Sequence, residues 1–403
     1  MFHLKTHIKI CATDTCCSTT PCSSAELFSS TLKLIAAAQC CLTDDFVSDE
    51  IKDKDCFDFI IVGGGTSGNV LANRLSEVKG WNVLLLEAGP KPPIFGSIPQ
   101  LSRNLARTKY DWNYVTENNH RTSQALKTGQ VTWVRGKLLG GSSVTNAGFY
   151  VKGLKPDYQR WADEGNPSWT PKNIFKYERK AESLQNEALK NNPLIGKNYG
   201  SNGQQVLNRY NTTRIPVHNL ILDSWDSIGI KQVEDTNSEV YNNRGYCSPA
   251  VFTAADGIRY DTYRSYLLPA DKRNNLKIVT EAFVSKILVD ENKKAYGVEV
   301  TINGTKIQLF VSKEVILAAG AVNSPHLLLL SGIGPKNELE SKNVSCVVDL
   351  PAVGRNLQDH LRIIVPIYGD RSQYDNRNER KCAPENVRLP FWLRDLPTAI
   401  LAV

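Results

Sequence analysis

The most distinctive hydrophobic pattern in the chain is an apolar run that does not alternate cleanly with polar residues. Residues 57–62 are rich in aromatic and β-branched side chains, which is typical of a parallel strand that is buried on both faces. A glycine-rich turn, a helical stretch and a second apolar run ending before Glu87 follow it. The pattern predicts a strand–turn–helix–strand unit over residues 57–90.

Apolar patterns farther along the chain predict further elements. Helices are predicted over residues 157–161, 170–189 and 217–227, the second with Thr170 as its N-cap and Pro171 as its first residue. Strands are predicted over residues 276–288, 295–302, 307–311 and 315–318, with a turn at 290–292. Residues 1–55 are dominated by Ser, Thr and Cys and show no strong period, so they predict a poorly ordered leader.

The glycine-rich turn has the spacing G-x-G-x-x-G. Gly63 permits a tight turn, Gly65 lets backbone amides approach a diphosphate, and Gly68 lets the helix pack closely on the strand. Thr66 and Ser67 lie where the helix begins, and its unpaired N–H groups favour an anion. Glu87 ends the second strand about 20 residues later, where a carboxylate can accept hydrogen bonds from a ribose. A flexible glycine loop would need neither this acid nor the flanking strands, so the unit predicts a dinucleotide site.

Composition narrows the class of protein. A chain of 403 residues can form two or three domains, and its 41% hydrophobic and 22% charged residues are those of an ordinary globular protein. The net charge of +7 includes no run of Lys or Arg longer than two, which does not support nucleic-acid binding. No window of about 18 uninterrupted apolar residues is present, so no membrane span is predicted.

The cysteines favour an extracellular protein without excluding other readings. Seven of the ten cysteines precede residue 57, which fits either a disulfide-tied extracellular leader or an unstructured one. They form no repeated CxxC pattern and have no accompanying histidine pair, so no metal site is predicted. Residues 34–42 resemble the apolar part of a secretory signal, although they begin late. Glycosylation sequons at Asn211, Asn303 and Asn343 fit secretion, although asparagine is common in this chain.

Two later segments are also rich in glycine. The first, residues 135–153, reads RGKLLGGSSVTNAGFYVKG. Its Gly140-Gly141-Ser142-Ser143 stretch is either a plain loop or a turn whose donors line an anion or a polar ring edge. The second, residues 320–335, reads GAVNSPHLLLLSGIGP, and alone it predicts a buried helix that begins at Ser324-Pro325 and is stopped by Gly332 and Gly334.

Together, and in this order, these segments resemble the two signatures of the glucose–methanol–choline (GMC) oxidoreductase family. The segment VGRNLQDH at residues 353–360 and the stretch at 298–300 also match that family. The segments LSEVKGWNVLLLEAGP and YDTYRSYLLPA are most similar to insect glucose dehydrogenase-like members. The resemblance covers residues 57–368.

This resemblance implies an α/β fold with two domains. An FAD-binding, Rossmann-like domain would comprise residues 56–170 and 256–360. A partial substrate-binding domain with an antiparallel sheet would comprise residues 171–255 and 361–403. The expected activity is oxidation of a CH–OH group of a sugar or alcohol, with hydride passing to FAD.

The resemblance also assigns cofactor contacts. The adenosine ribose would meet Glu87, the diphosphate would meet the turn at residues 63–68, and the backbone of Val284 would contact the adenine. The isoalloxazine would lie along a second set of residues: Gly140, Gly141, Ser142, Ser143 and Asn146.

The chain departs from the family pattern at the expected catalytic base. Family members continue beyond the matched segments and carry a flavin-facing histidine that takes the alcohol proton. Here none of the six histidines follows residue 360, and His326 and His360 are predicted to be structural, so no catalytic residue is assigned. Residue 370 onward is polar, unlike the strand expected there, and the apolar end at 391–403 is interrupted by Pro397.

Three functions remain open at this point. The leading prediction is an FAD-dependent oxidoreductase whose base is supplied only by a longer form, with quinone or oxygen as the electron acceptor. The second is a catalytically silent FAD-binding or interaction protein. The third is a nicotinamide-dependent dehydrogenase, which the two later signatures oppose.

Overall fold

A computed structural model describes residues 44–210, 216–239 and 245–360 of this protein. Residues 45–357 form one compact unit. Most of the predicted leader and the whole of residues 361–403 lie outside the described residues, as do Asn211 and the predicted boundary region after residue 370.

The elements follow in chain order. The strands are β1 (Cys56–Val62), β2 (Val83–Leu86), β3 (Tyr114–Val115), β4 (Thr132–Trp133), β5 (Glu182–Leu184), β6 (Gln205–Leu207), β7 (Lys231–Gln232), β8 (Tyr246–Cys247), β9 (Ala254–Ala255), β10 (Ile258–Arg259), β11 (Leu276–Val279), β12 (Ala282–Val289), β13 (Ala295–Ile302), β14 (Thr305–Leu317), β15 (Ile333–Gly334) and β16 (Val348–Asp349). The helices are α1 (Thr66–Leu75), α2 (Ser142–Thr145), α3 (Lys155–Asp163), α4 (Pro171–Ala181), α5 (Glu187–Asn191), α6 (Pro216–Ser227), α7 (Gly320–Leu330) and α8 (Lys336–Ser341).

The main sheet has six strands in the order β11-β2-β1-β14-β13-β12. The first four of these pair in parallel, and β14, β13 and β12 pair antiparallel. Val62 lies opposite both Leu86 and Leu317, so three parallel strands end at the same edge of the sheet. This architecture agrees with the predicted Rossmann-like α/β fold.

The core lies on both faces of this sheet. Ile60 packs into one cluster with Leu84, and Ile61 packs into the other with Leu85. All four side chains are fully buried, and each contributes about 1.5–3 kcal/mol by its burial. Because neighbouring residues of a strand point to opposite faces, a strand covered on both sides has no polar face, which explains the run without alternation.

The segment just before β1 lies along the main sheet. The Asp49 amide donates to the Ile278 carbonyl at 2.9 Å, and the Ile278 amide donates to the Asp49 carboxylate at 2.7 Å. The Lys54 amide donates to the Gln308 carbonyl at 2.7 Å. The two bonds of Asp49 cover part of the edge of β11, where unpaired backbone groups would otherwise face solvent.

The predicted helix over residues 170–189 is wrong beyond Ala181. It begins as expected, with Thr170 as N-cap and Pro171 as its first residue, but the chain then enters β5. Strand β5 pairs in parallel with β6, and Glu182 is completely buried in an ion pair with Lys152 at 2.9 Å. A tertiary pairing therefore overrides the local helical pattern.

Other predicted elements need smaller corrections. Helices α3 and α6 and strand β13 confirm the predictions for residues 157–161, 217–227 and 295–302. The stretch 276–288 contains two strands, β11 and β12, separated at Glu281, whose φ is 54°. The strands predicted at 307–311 and 315–318 are one strand, β14, because it pairs first with β13 and then with β1. Helix α7 begins at Gly320 rather than at Ser324.

Residues 171–255 contain little sheet. Strands β5 and β6 and strands β7 and β8 form two parallel pairs, and β9 pairs antiparallel with β10, which follows this stretch. None of the helices in the described ranges is long and apolar enough to cross a bilayer.

Candidate cofactor site

A cavity of about 580 Å³ lies at the carboxyl ends of β1, β2 and β14. Val62, Leu86 and Leu317, the last residues of these strands, line it. Open α/β sheets bind ligands outside the carboxyl ends of their parallel strands, and the volume is in the range of small-molecule sites. Eight of the twelve predicted site residues line this cavity: Gly63, Gly65, Thr66, Ser67, Glu87, Gly141, Ser142 and Val284.

The three glycines of the first turn differ in why glycine is needed at each position. A Cβ atom at Gly63 would lie 2.5 Å from the Ala318 carbonyl oxygen, and one at Gly68 would lie 1.9 Å from the Gly63 carbonyl oxygen. A Cβ at Gly65 would meet nothing closer than the Gly141 Cα at 3.9 Å. The fold therefore requires glycine at Gly63 and Gly68, whereas the bare backbone of Gly65 only keeps the cavity wall open.

Helix α1 begins at this wall with unpaired donors. Gly65 is its N-cap and supplies no side chain, and no acidic residue lies in the first turn. Thr66 and Ser67 are exposed and line the cavity. The free N–H groups and the positive end of the helix dipole together favour a bound anion.

Glu87 is held in a fixed position immediately after β2. Its amide donates to the Val279 carbonyl and its carbonyl accepts from the Ala282 amide, both at 2.9 Å. The two carboxylate oxygens accept the Gly64 and Gly89 amides, each at 2.8 Å. An ionised carboxylate can accept about four hydrogen bonds, so it can still bind a ligand hydroxyl.

Burial controls the charge state of Glu87. The side chain is 6% exposed, and desolvation raises its pKa to about 7, opposed by the hydrogen bonds from Gly89 and Gly64 and by the charge of Lys137. A carboxylate with such a pKa inside a cleft is a typical feature of a functional site.

The second glycine-rich segment, here meaning the one within residues 135–153, directly contacts the first, which is the turn at residues 63–68. The Gly140 amide donates to the Gly64 carbonyl at 2.8 Å. Gly141, whose φ is +52°, lies so close to Gly65 that an added Cβ would be 2.8 Å from the Gly65 Cα. Gly141 and Ser142 therefore continue the cavity wall that begins at the first turn.

Four predicted site residues do not line the cavity. Gly68 and Gly140 instead allow close backbone packing behind it. The Ser143 hydroxyl donates to the Gly140 carbonyl at 2.6 Å and contacts the Thr262 hydroxyl at 3.2 Å. The side-chain oxygen of Asn146 accepts hydrogen bonds from the Gly148 amide at 2.9 Å and from the Arg259 guanidinium at 2.7 Å.

Val284 also lines the cavity. It belongs to β12 and pairs with Val300 of β13, beside Ala282 and Phe283, which also line the cavity. The start of this apolar strand adjoins Glu87, whose carbonyl accepts the Ala282 amide at 2.9 Å.

Aromatic residues that the sequence reasoning missed complete the cavity. Trp112 and Tyr114 stack with ring centroids 6.0 Å apart, and Phe283 lies 6.4 Å from Trp112. The ammonium of Lys137 lies 4.9 Å from the centre of the Trp112 ring, a cation–π contact. Tyr114 begins the two-residue strand β3 and Trp112 lies just before it. Both lie in the stretch after residue 90 and belong to no motif, so no sequence signal distinguished them.

Helix α7 contributes polar groups to the same space. The Tyr114 hydroxyl donates to the Asn323 side-chain oxygen at 2.5 Å. His326 lines the cavity and is exposed. His360 is also exposed.

Comparison of the sequence with protein-family models identifies the family of this chain. The model for the GMC oxidoreductases matches residues 57–362, which is most of the chain. The chain belongs to the GMC oxidoreductase family. Members of this family are FAD-dependent flavoproteins.

Curated relatives agree with this assignment. The chain is 38% identical over 354 residues to glucose dehydrogenase [FAD, quinone] of Drosophila melanogaster, covering 86% of this chain and 55% of that protein. It is 36% identical to ecdysone oxidase of Bombyx mori, covering 88% of this chain and 53% of the relative. It is also 37% identical to mitochondrial choline dehydrogenase of Homo sapiens, covering 78% and 52%.

Solved structures share the fold. Pyridoxine 4-oxidase from Mesorbium loti superposes with a TM-score of 0.68 at 32% identity, over 75% of this chain and 57% of that one. A formate oxidase variant from Aspergillus oryzae gives a TM-score of 0.68 at 29% identity, over 77% and 53%. The chain thus spans about half the length of the relatives it matches.

Proposed function

We propose that this chain binds FAD and serves a GMC-type oxidoreductase that oxidises a CH–OH group of a sugar or small alcohol. The observation that carries the proposal is that Gly65 and Glu87 line the same cavity. Gly65 leaves an open backbone wall beside unpaired helix donors, and Glu87 is a buried acceptor at the next strand end. These two features complement a diphosphate and a ribose hydroxyl.

The residues on the cavity wall define how FAD would be held. Glu87 would bind the adenosine ribose, the turn at residues 63–68 would bind the diphosphate, and β12 at Val284 would contact the adenine. Gly141 and Ser142 would continue along the ligand toward the flavin. When bound, FAD supplies the hydride acceptor that side chains lack.

Two assigned flavin contacts are restricted by the hydrogen bonds already made. The Ser143 hydroxyl is engaged by Gly140 and Thr262. The Asn146 side-chain oxygen accepts two hydrogen bonds, so a contact from its side chain to the flavin would use the amide nitrogen. In this proposal the second loop therefore positions the flavin largely through backbone groups.

The substrate class is supported by the relatives. Glucose dehydrogenase, choline dehydrogenase and ecdysone oxidase share extensive sequence with this chain, and their printed names point to hydroxyl-bearing donors. We propose the same donor class for the protein to which this chain contributes its cofactor site.

Titration of the FAD-free chain with FAD tests cofactor binding. Quenching of flavin fluorescence should saturate at one FAD per chain. Gly65→Val should weaken binding because its side chain fills the space left for the diphosphate, and Glu87→Ala should weaken it by removing the ribose acceptor.

Gly80→Val provides a matched control, because an added Cβ at this exposed glycine meets nothing within 4 Å. Wild-type chain that fails to quench FAD fluorescence would refute cofactor binding. Equal FAD affinity in wild type, Gly65→Val and Glu87→Ala would refute the assigned site.

We also propose that the protein is extracellular and glycosylated. The sequon residue Asn303 lies in the turn between β13 and β14, and Asn343 follows α8; both are exposed. Exposed turns are accessible acceptor sites. Full-length chain expressed in insect cells should appear in the medium and lose mass on endoglycosidase treatment, less so in Asn303→Gln and Asn343→Gln. Retention inside the cells without a glycan would refute this location.

A further inference from the structure

A segment distant in sequence lies against both glycine-rich segments of the cavity. It runs from β10 into a π-helical turn, Tyr263–Leu267. π-Helical turns are rare and are often found at functional sites. Two residues of this segment, Arg259 and Thr262, hydrogen-bond to the second glycine-rich segment, and they are 1% and 4% exposed.

Thr262 joins helix α1 to the second glycine-rich segment through one hydroxyl. Its Oγ1 accepts from the Asn69 side-chain nitrogen at 3.3 Å and lies 3.2 Å from the Ser143 hydroxyl. Its amide donates to the same Ser143 hydroxyl at 3.1 Å. The spacing between the start of α1 and the second loop therefore depends on this contact.

Arg259 fixes the far end of the second loop. One guanidinium nitrogen donates to the Ser143 carbonyl at 3.1 Å and to the Asn146 side-chain oxygen at 2.7 Å. The other donates to the Asn146 carbonyl and to the Ser102 hydroxyl, both at 2.8 Å. The planar fork of the guanidinium thus determines the direction of the loop between Ser143 and Asn146.

The charge of Arg259 distinguishes it from an ordinary buried side chain. Among the described residues, its hydrogen-bond acceptors are all neutral, and its Nε has no partner. Its charge is offset at longer range by the carboxylate of Asp261. A buried cation with neutral acceptors is costly in a core, which favours a specific role for Arg259 in holding this loop.

The same segment is anchored at its other end on helix α1. The Asn73 side-chain nitrogen donates to the Tyr266 carbonyl at 2.7 Å. The segment therefore contacts the helix that begins at the first glycine turn and the loop that carries Gly141 and Ser142. It connects the two walls from behind, without lining the cavity.

We propose that Arg259 and Thr262 are positioning residues that set the distance between the two glycine-rich segments, so that both contact one dinucleotide. The inference rests on the proposed FAD binding. It makes one prediction that a general structural role does not make. A ligand that spans both segments should lose affinity, while a ligand confined to the first turn and Glu87 should not.

The test compares FAD with AMP on the full chain by isothermal titration calorimetry. Arg259→Lys and Thr262→Val should each weaken FAD about tenfold, equivalent to about 1.4 kcal/mol. Both variants should bind AMP within about twofold of wild type, because AMP reaches only the first turn and the ribose carboxylate. Thr262→Ser, which keeps the hydroxyl, should restore FAD affinity.

Ser183→Ala is the matched control. Ser183 is 8% exposed and its hydroxyl donates to the Ser201 carbonyl at 3.2 Å, in the β5 region. This variant should bind both ligands like wild type. Thermal unfolding with each ligand reports whether every variant is folded, and Thr262→Val carries the test if Arg259→Lys does not fold.

The outcomes separate the inference from the proposed function. Wild type that binds neither FAD nor AMP overturns the proposed cofactor site. Wild type that binds both, with variants that lose FAD and AMP equally or lose neither, overturns the positioning role while leaving FAD binding intact.

Discussion

The two glycine-rich segments meet at the same cavity wall but are held in different ways. The first, residues 63–68, is fixed by its neighbours in one strand–helix–strand unit: the Gly63 amide donates to the Leu86 carbonyl, and Gly68 packs on Gly63. The second, residues 140–146, is fixed by Arg259 and Thr262, more than a hundred residues away in the chain.

This difference shows why one motif is more informative than the other. The steric need for glycine at Gly68 arises within a unit of about 30 residues, whereas that at Gly63 also involves the distant Ala318. The sequence displays the strands, turn and acid of this unit together. The loop geometry of the second segment depends on a buried side chain from a distant part of the chain. A short loop motif does not reveal such a partner.

The largest expected effect is at Gly68. Gly68→Ala should lower the free energy of unfolding by about 3 kcal/mol, because its Cβ would lie 1.9 Å from the Gly63 carbonyl oxygen. Urea denaturation monitored by circular dichroism measures this loss. A loss below about 1 kcal/mol would show that the helix can shift away from the strand and that the local packing argument is wrong.

Glu87 should make the stability of the FAD-free chain depend on pH. Its pKa is about 7 in the folded state against an ordinary value of 4.5, so the folded state holds a proton that the unfolded state releases between these values. Stability from this group is therefore full below pH 4.5 and falls as the pH rises to about 7, by about 3 kcal/mol in total.

Urea midpoints between pH 5 and pH 8 measure this dependence, and Glu87→Gln should flatten it. An unchanged pH profile in Glu87→Gln would assign the dependence to another group. Gly141 and Ser142, the residues of the second glycine-rich segment that line the cavity, carry no acid. The pH dependence is therefore expected from the strand–helix–strand unit that includes Glu87, and not from the second segment.

Gly65→Ala should separate binding from folding. A Cβ at this position meets nothing closer than 3.9 Å, and its φ of −82° suits alanine, so stability should change by less than about 0.5 kcal/mol. FAD affinity should fall about tenfold because the methyl group enters the cavity. Calorimetry with Gly80→Ala as control measures the affinity, and unchanged FAD binding would show that the ligand does not approach this backbone.

The smallest effect is expected in the second loop. Ser142→Ala should weaken FAD about threefold, because the hydroxyl lines the cavity and otherwise only accepts the Gly136 amide at a long 3.3 Å. Ser143→Ala should instead lower stability by about 1 kcal/mol, since its hydroxyl bonds to Gly140 and Thr262. The reverse pattern in paired binding and unfolding measurements would exchange the roles of the two serines.

The sequence predicted the part of the fold whose cause is local. The unit from Cys56 to Glu87 is as expected, because its glycine spacing and its two apolar strands are set within the same stretch. The helix expected through residue 189 ends at Ala181, since Glu182 enters a buried strand beside Lys152. Trp112 and Tyr114 were missed because β3 has only two residues, too few to show a period from which burial can be inferred.

By itself, the sequence determined the family, the strand–helix crossover and the acid that ends β2, because glycine spacing and apolar runs act over short distances. The tertiary structure decided which predicted residues reach the cavity. It placed Gly141 and Ser142 on the wall and turned Ser143 and Asn146 toward Thr262 and Arg259. The physical reason is that hydrogen-bond partners of a loop are selected by packing in space, where residues far apart in the chain become neighbours.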